Sequence, residues 1–97
     1  MNLIEQIGEP AALELLAEEC TELAQAALKL ARIERGENPT PVTKGAAMYS
    51  MMEEMADVSV TYSQIEMYAP WMNERILCEL TRLKEKRMEE RILGKET

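Results

Sequence analysis

Five carboxylates stand at spacings that suit chemistry: Glu18, Glu19 and Glu22 in the stretch LLAEECTELA, then Glu54 and Asp57 further along the chain. On a helix, intervals of three and four residues bring side chains to one face. Projected at roughly 100° per residue, Glu19 falls inside the apolar arc between Leu23 and Ala26, Glu22 lies just beyond it, and Glu18 is the most peripheral. Around Glu54, the polar positions Ser50, Glu53, Glu54, Asp57, Thr61 and Gln64 crowd into one strip of an otherwise apolar helix. If the two helices pack antiparallel, Glu19, Glu22, Glu54 and Asp57 meet at a similar height. Converging, partly buried carboxylates repel one another, so they either protonate or bind cations. Oxygen ligands without nitrogen or sulfur select Mg²⁺ or Mn²⁺, and Mg²⁺ held by a few carboxylates keeps coordination positions for phosphate oxygens. Solvated acidic faces account for either motif taken alone.

The elements that must position these acids are helical. Alanine, leucine, methionine and glutamate dominate, phenylalanine is absent and valine is scarce, which favours an all-α chain. Pro10 suits a first helical turn, and the apolar period from Leu13 through Leu16, Cys20, Leu23 and Ala27 to Ala31 predicts a helix to about Arg35, capped by Gly36. GENPTP, with two X-Pro pairs, reads as a connecting loop. Thr43 is the expected N-cap of a second helix reaching about Tyr68, and Pro70 separates it from a third over about Trp71 to Leu93. The expected fold is an antiparallel hairpin with the third helix turning back over it, residues 1–97 forming one domain. Three helices do not close a four-helix bundle, so a homodimer or homotetramer is the expected completion. Met48, Met51, Met52, Met55 and Met67 serve either as that interface or as core filling.

Composition removes several function classes. Histidine is absent, which excludes Ser/His/Asp and Cys/His nucleophilic systems and histidine-ligated zinc. Cys20 and Cys78 lack metal-ligand spacing and read as reduced thiols. A net charge of −7 opposes nucleic-acid binding, no apolar run spans a membrane, and the acidic N-terminus is unlike a secretory signal, so a cytoplasmic location is expected.

Charge is unevenly distributed: residues 1–70 hold twelve acids and four bases, residues 71–97 six acids and seven bases. On the third predicted helix, Lys84, Arg87 and Arg91 continue the face begun by Ile76, Leu80 and Leu83, whereas Arg82 and Lys86 point away. The first three suit triphosphate oxygens as charge-assisted donors, or serve simply as basic residues favoured at a helix C-terminus. Lys44 is a further substrate-binding candidate. Trp71, Tyr49, Tyr62 and Tyr68 are available to stack on a base, though packing is the commoner use of such residues.

Glu18-Glu19-x-x-Glu22 followed by Glu54-x-x-Asp57 resembles the E-E-x-x-E and E-x-x-D signature of the MazG-like all-α nucleoside triphosphate pyrophosphohydrolases, the superfamily that includes dimeric dUTPases and phosphoribosyl-ATP pyrophosphohydrolase. The resemblance spans about residues 11–92. It implies magnesium-dependent hydrolysis of a nucleoside triphosphate between its α and β phosphates, giving the monophosphate and pyrophosphate. Glu19, Glu22, Glu54 and Asp57 match the family's metal-binding acids, and Glu18 its extra leading acid, the candidate catalytic residue, whose place is that of a ligand, a group behind the ligands or a water activator. Two departures stand out. The 31 residues between Glu22 and Glu54 make a long interval for the family, holding GENPTPVTKG at the edge of the expected pocket, and RLKEKRMEER lacks the asparagine many relatives carry among their basic residues. The rival reading is a non-catalytic helical dimerisation module or metal-bound scaffold, which turns over no nucleotide; an adaptor exposing its methionines would remain a monomer.

Overall fold

The computed structural model describes residues 1–37 and 41–94, and the segment of the predicted loop at 38–40 lies outside the described residues. Four helices follow in order: α1 (Leu3–Ile7), α2 (Glu9–Glu34), α3 (Lys44–Tyr68) and α4 (Glu74–Ile92). No strand occurs among the described residues, and the chain is all-α as its composition requires.

Local chemistry sets the ends of the long helices. α2 starts after Gly8, whose φ of 87° suits a residue without Cβ, and Pro10 lies in its first turn, where a missing N–H costs nothing. It ends in a Schellman arrangement: the Glu37 N–H donates to the Arg32 carbonyl at 2.9 Å and the Gly36 N–H to that of Ile33 at 3.0 Å, with Gly36 at φ 70°. Thr43 caps α3 by accepting from the Ala46 N–H at 3.1 Å. Ala69, extended because Pro70 follows it, stops that helix at Tyr68. Asn73 caps α4 by accepting from the Ile76 N–H at 3.1 Å, so α4 begins three residues later than the sequence suggests.

α2 and α3 form the antiparallel hairpin. At its open end Ala12 and Ile65, 0 % and 1 % exposed, pack with Leu3 and Ala69, and Leu15, Leu16 and Met72 flank them. The short α1 was not foreseen in the sequence; it closes this end, with Asn2 as N-cap and the Leu3 N–H donating to Gln64 Oε1 at 3.0 Å. A five-residue helix is not stable alone. It exists because Leu3 has this apolar end of the hairpin to cover. Ile65 is the one large side chain with almost no exposure among the described residues, so Ile65→Ala is expected to cost about 2–5 kcal/mol, measured by urea unfolding.

The third predicted helix behaves differently from expectation. α4 does not turn back over the hairpin but projects from it, and none of its residues is buried. A groove lined by Tyr62 and Glu66 of α3 and Leu77, Cys78 and Thr81 of α4 lies where the two diverge. The physical reason is the turn: Pro70 follows extended Ala69 and keeps α4 from continuing α3, and α4's apolar line of Ile76, Leu80 and Leu83 stays exposed among the described residues. The radius of gyration, 17.1 Å, accordingly exceeds the ~13 Å of a compact domain of about 100 residues. Met48, Met52, Met55 and Met67 are exposed and Met51 is half-buried, so these methionines do not fill the core of the single chain.

Candidate metal centre

The middle of the hairpin holds the acids. Glu19 and Glu22 stand one turn apart on α2, Glu54 and Asp57 one turn apart on α3, and the antiparallel pairing sets the two turns opposite each other. One carboxylate oxygen from each of the four residues lies within 4.8 Å of the other three. Glu19 and Glu54 form the half-buried inner pair, while Glu22 and Asp57 form the exposed outer pair. Glu18, next to Glu19, is exposed and outside the quartet.

The inner pair is electrostatically unsatisfied. Glu19 Oε2 and Glu54 Oε2 are shielded from solvent and have no hydrogen-bond partner. A buried acceptor without a donor is costly, and an ionised one more so. Loss of hydration, then the charges of Glu22, Asp57, Glu54 and Glu18, raise the Glu19 carboxyl above its ordinary range. Glu54 is raised first by loss of hydration and next by the charges of Glu22 and Asp57. No basic side chain is ion-paired with any of the four among the described residues. These residues fit a divalent cation: an all-oxygen donor set, excess negative charge, and two inward oxygens without donors.

A cleft of about 240 Å³ continues from the acids toward the loop end of the hairpin, lined by Glu22, Gln25, Lys29, Val42, Ser50 and Glu54. Ala26 and Ala47 form its remaining wall, and their small side chains leave it open. Val42, from the segment between α2 and α3, lines its loop-side end. Gln25 and Lys29 lie three and seven residues after Glu22, a spacing that keeps them on the face of Glu22. That periodicity was the available signal for Lys29, yet on α2 alone nothing separates it from an ordinary solvated lysine.

The remaining candidates lie elsewhere in the single chain. Lys44 Nζ pairs with Glu34 Oε1 at 3.0 Å across the loop end, ten residues before Glu54 and so ~15 Å from it along the helix axis. Lys84, Arg87 and Arg91 are exposed on the projecting α4, and Arg87 lines a surface hollow with Leu83, Lys86 and Glu90. The Trp71 indole N–H donates to Glu9, and the Tyr62 hydroxyl donates to Glu66 Oε2 at 2.8 Å, so both ring polar groups are engaged away from the acids. Tyr49 is exposed and Tyr68 half-buried on α3. No helix among the described residues is long and apolar enough to cross a membrane. Compared with known proteins, the chain matches no family model, no curated protein and no solved structure.

Proposed function

We propose that the protein is a Mg²⁺-dependent nucleoside triphosphate pyrophosphohydrolase of the MazG-like type, hydrolysing an NTP or dNTP to the monophosphate and pyrophosphate, with Mn²⁺ an acceptable substitute. The observation that carries this reading is the quartet of Glu19, Glu22, Glu54 and Asp57, with ligand oxygens within 4.8 Å of one another and two of the inner pair's oxygens lacking any donor. The E-E-x-x-E and E-x-x-D resemblance supports it by supplying the reaction class.

Bound at the quartet, Mg²⁺ would polarise phosphate oxygens and lower the pKa of water. The chain's own residues do the rest. Glu19 and Glu54 anchor the site from within the hairpin, and Glu22 and Asp57 face the solvent side from which a substrate arrives. Glu18, exposed and one residue from Glu19, is the base for the proton lost as water oxygen bonds to the α-phosphorus. The bond from the α-phosphorus to the bridging oxygen breaks, and pyrophosphate leaves.

Lys84, Arg87 and Arg91 enter this scheme through a second copy of the chain. The acidic hairpin and the projecting basic helix are complementary in charge, and α4 exposes Leu80, Leu83 and Ile92, as α3 exposes Met48, Met52 and Met55. Laid over a partner's hairpin, α4 would complete the bundle and bring cations to the leaving group. Light scattering at micromolar concentration is therefore expected to give at least a dimer. A monomer with full turnover would remove α4 from the mechanism.

Pyrophosphate release from a panel of NTPs and dNTPs with Mg²⁺ tests the activity itself. Cation binding without turnover of any of them would favour the metal-bound scaffold instead.

A further inference from the structure

We infer that Lys29, with Gln25 and Ser50, forms the subsite for the terminal phosphates of the substrate, the part that departs as pyrophosphate. The inference rests on the proposed pyrophosphohydrolase reading and adds to it the direction in which the triphosphate lies.

The cleft beside the acids extends one way along the hairpin, from Glu22 and Glu54 toward Val42. Its volume, about 240 Å³, falls below the ~300 Å³ at which pockets for whole drug-sized ligands begin, so it suits a phosphate group rather than an entire nucleotide. Lys29 is the one basic side chain lining it among the described residues, and it is half-buried. Although Glu22 and Glu54 line the same cleft, Lys29 is in no ion pair among the described residues. Its ammonium therefore remains available to an incoming anion.

Helix geometry carries the argument further. Seven residues separate Lys29 from Glu22, ~10 Å along the α2 axis, and helical side chains lean toward the helix N-terminus, so the lysine stem inclines back toward the acids. A phosphate chain held at the carboxylates through a cation, and continuing into the cleft, meets the lysine one or two phosphates later. Gln25 from α2 and Ser50 from α3 flank that path with neutral donors. The opposite orientation, terminal phosphates outward, would set the Lys29 ammonium against a neutral nucleoside and carry the phosphate charge away from the one basic side chain lining the cleft among the described residues.

The test is calorimetric titration of wild type, Lys29→Ala and Lys29→Arg, first with Mg²⁺ alone and then with pyrophosphate at saturating Mg²⁺. Lys29→Ala is expected to weaken pyrophosphate binding by about tenfold, the loss of one charge-assisted contact, while Mg²⁺ alone binds unchanged or tighter because a nearby positive charge has gone. Lys29→Arg is expected to keep pyrophosphate affinity within about threefold of wild type. A merely structural lysine would weaken both ligands together in the alanine variant. Equal pyrophosphate affinity in wild type and Lys29→Ala overturns the subsite and leaves the metal reading standing. Absence of Mg²⁺ binding by wild type overturns the metal reading, and the subsite with it.

Discussion

Glu54→Gln is expected to lower Mg²⁺-dependent pyrophosphate release by at least about a hundredfold, since even groups that only orient metal ligands cost 10- to 100-fold when removed. The substitution keeps the volume and one carbonyl oxygen but removes the charge. Its amide nitrogen would also be a donor where a cation needs an acceptor. Glu54 is the sharpest probe because its Oε2 is buried and has no partner, so its ionised form has little reason to persist there without a cation. Glu19→Gln should match it, for Glu19 Oε2 is in the same condition. Asp57→Asn and Glu22→Gln, at the exposed edge, should cost less, since water can replace an outer ligand. A coupled pyrophosphate assay across the nucleotide panel ranks the four. Wild-type turnover in Glu54→Gln would end the assignment of the quartet as a metal site.

The same carboxylates should make the cation-free protein less stable than its own variant. Removing one charge from the quartet relieves repulsion, so Glu54→Gln is expected to melt higher than wild type in EDTA. Mg²⁺ should reverse the order. At a hundredfold excess over its dissociation constant a ligand adds about 2.7 kcal/mol to the native state, or roughly 10–20 °C for a domain of this size. The variant should hardly respond. The pH dependence has a definite sign. Glu19 and Glu54 are raised in the folded state above the ordinary 4.5, so the folded chain binds protons more readily than the unfolded one. Stability in EDTA therefore falls as pH rises through the raised values and is regained on acidification toward 4.5. With Mg²⁺ present the slope inverts, because protons compete with the cation for the same oxygens. Thermal scans of wild type and Glu54→Gln between pH 4.5 and 8, with and without Mg²⁺, isolate this contribution from the other carboxylates. Parallel curves for the two proteins would show that no such repulsion exists.

How much of the structure is legible in the sequence differs from one residue to the next. Helix ends could be read where a local signal marks them: Pro10, Gly36, Thr43 and Pro70 all act within a few residues of themselves. The relative burial of the acids was legible too, because a 3.6-residue period fixes which side of α2 carries Glu19, and the structure has Glu19 half-buried with Glu18 and Glu22 exposed. The short α1 had no such signal, being too brief to display a period and dependent on the apolar end it covers. Nor could periodicity reveal that α4 stands away from the hairpin. Its amphipathic face says that it wants a partner, not where the partner is.

By itself, then, the amino-acid order determined an all-α chain, three long helices and two acidic pairs at one-turn spacing, because helix propensity, capping and periodicity are properties of neighbours along the chain. Only the tertiary structure decided that the two pairs meet within 4.8 Å, that Lys29 shares a cleft with Glu22 and Glu54, and that Lys44 is turned to Glu34 instead. Each of those depends on the axial register between α2 and α3. A shift of one helical turn, ~5.4 Å, would leave only one acid of each helix level with the other and break up the quartet, and that register is set by the Ala12–Ile65 contact and the Leu3–Gln64 hydrogen bond at the far end of the hairpin.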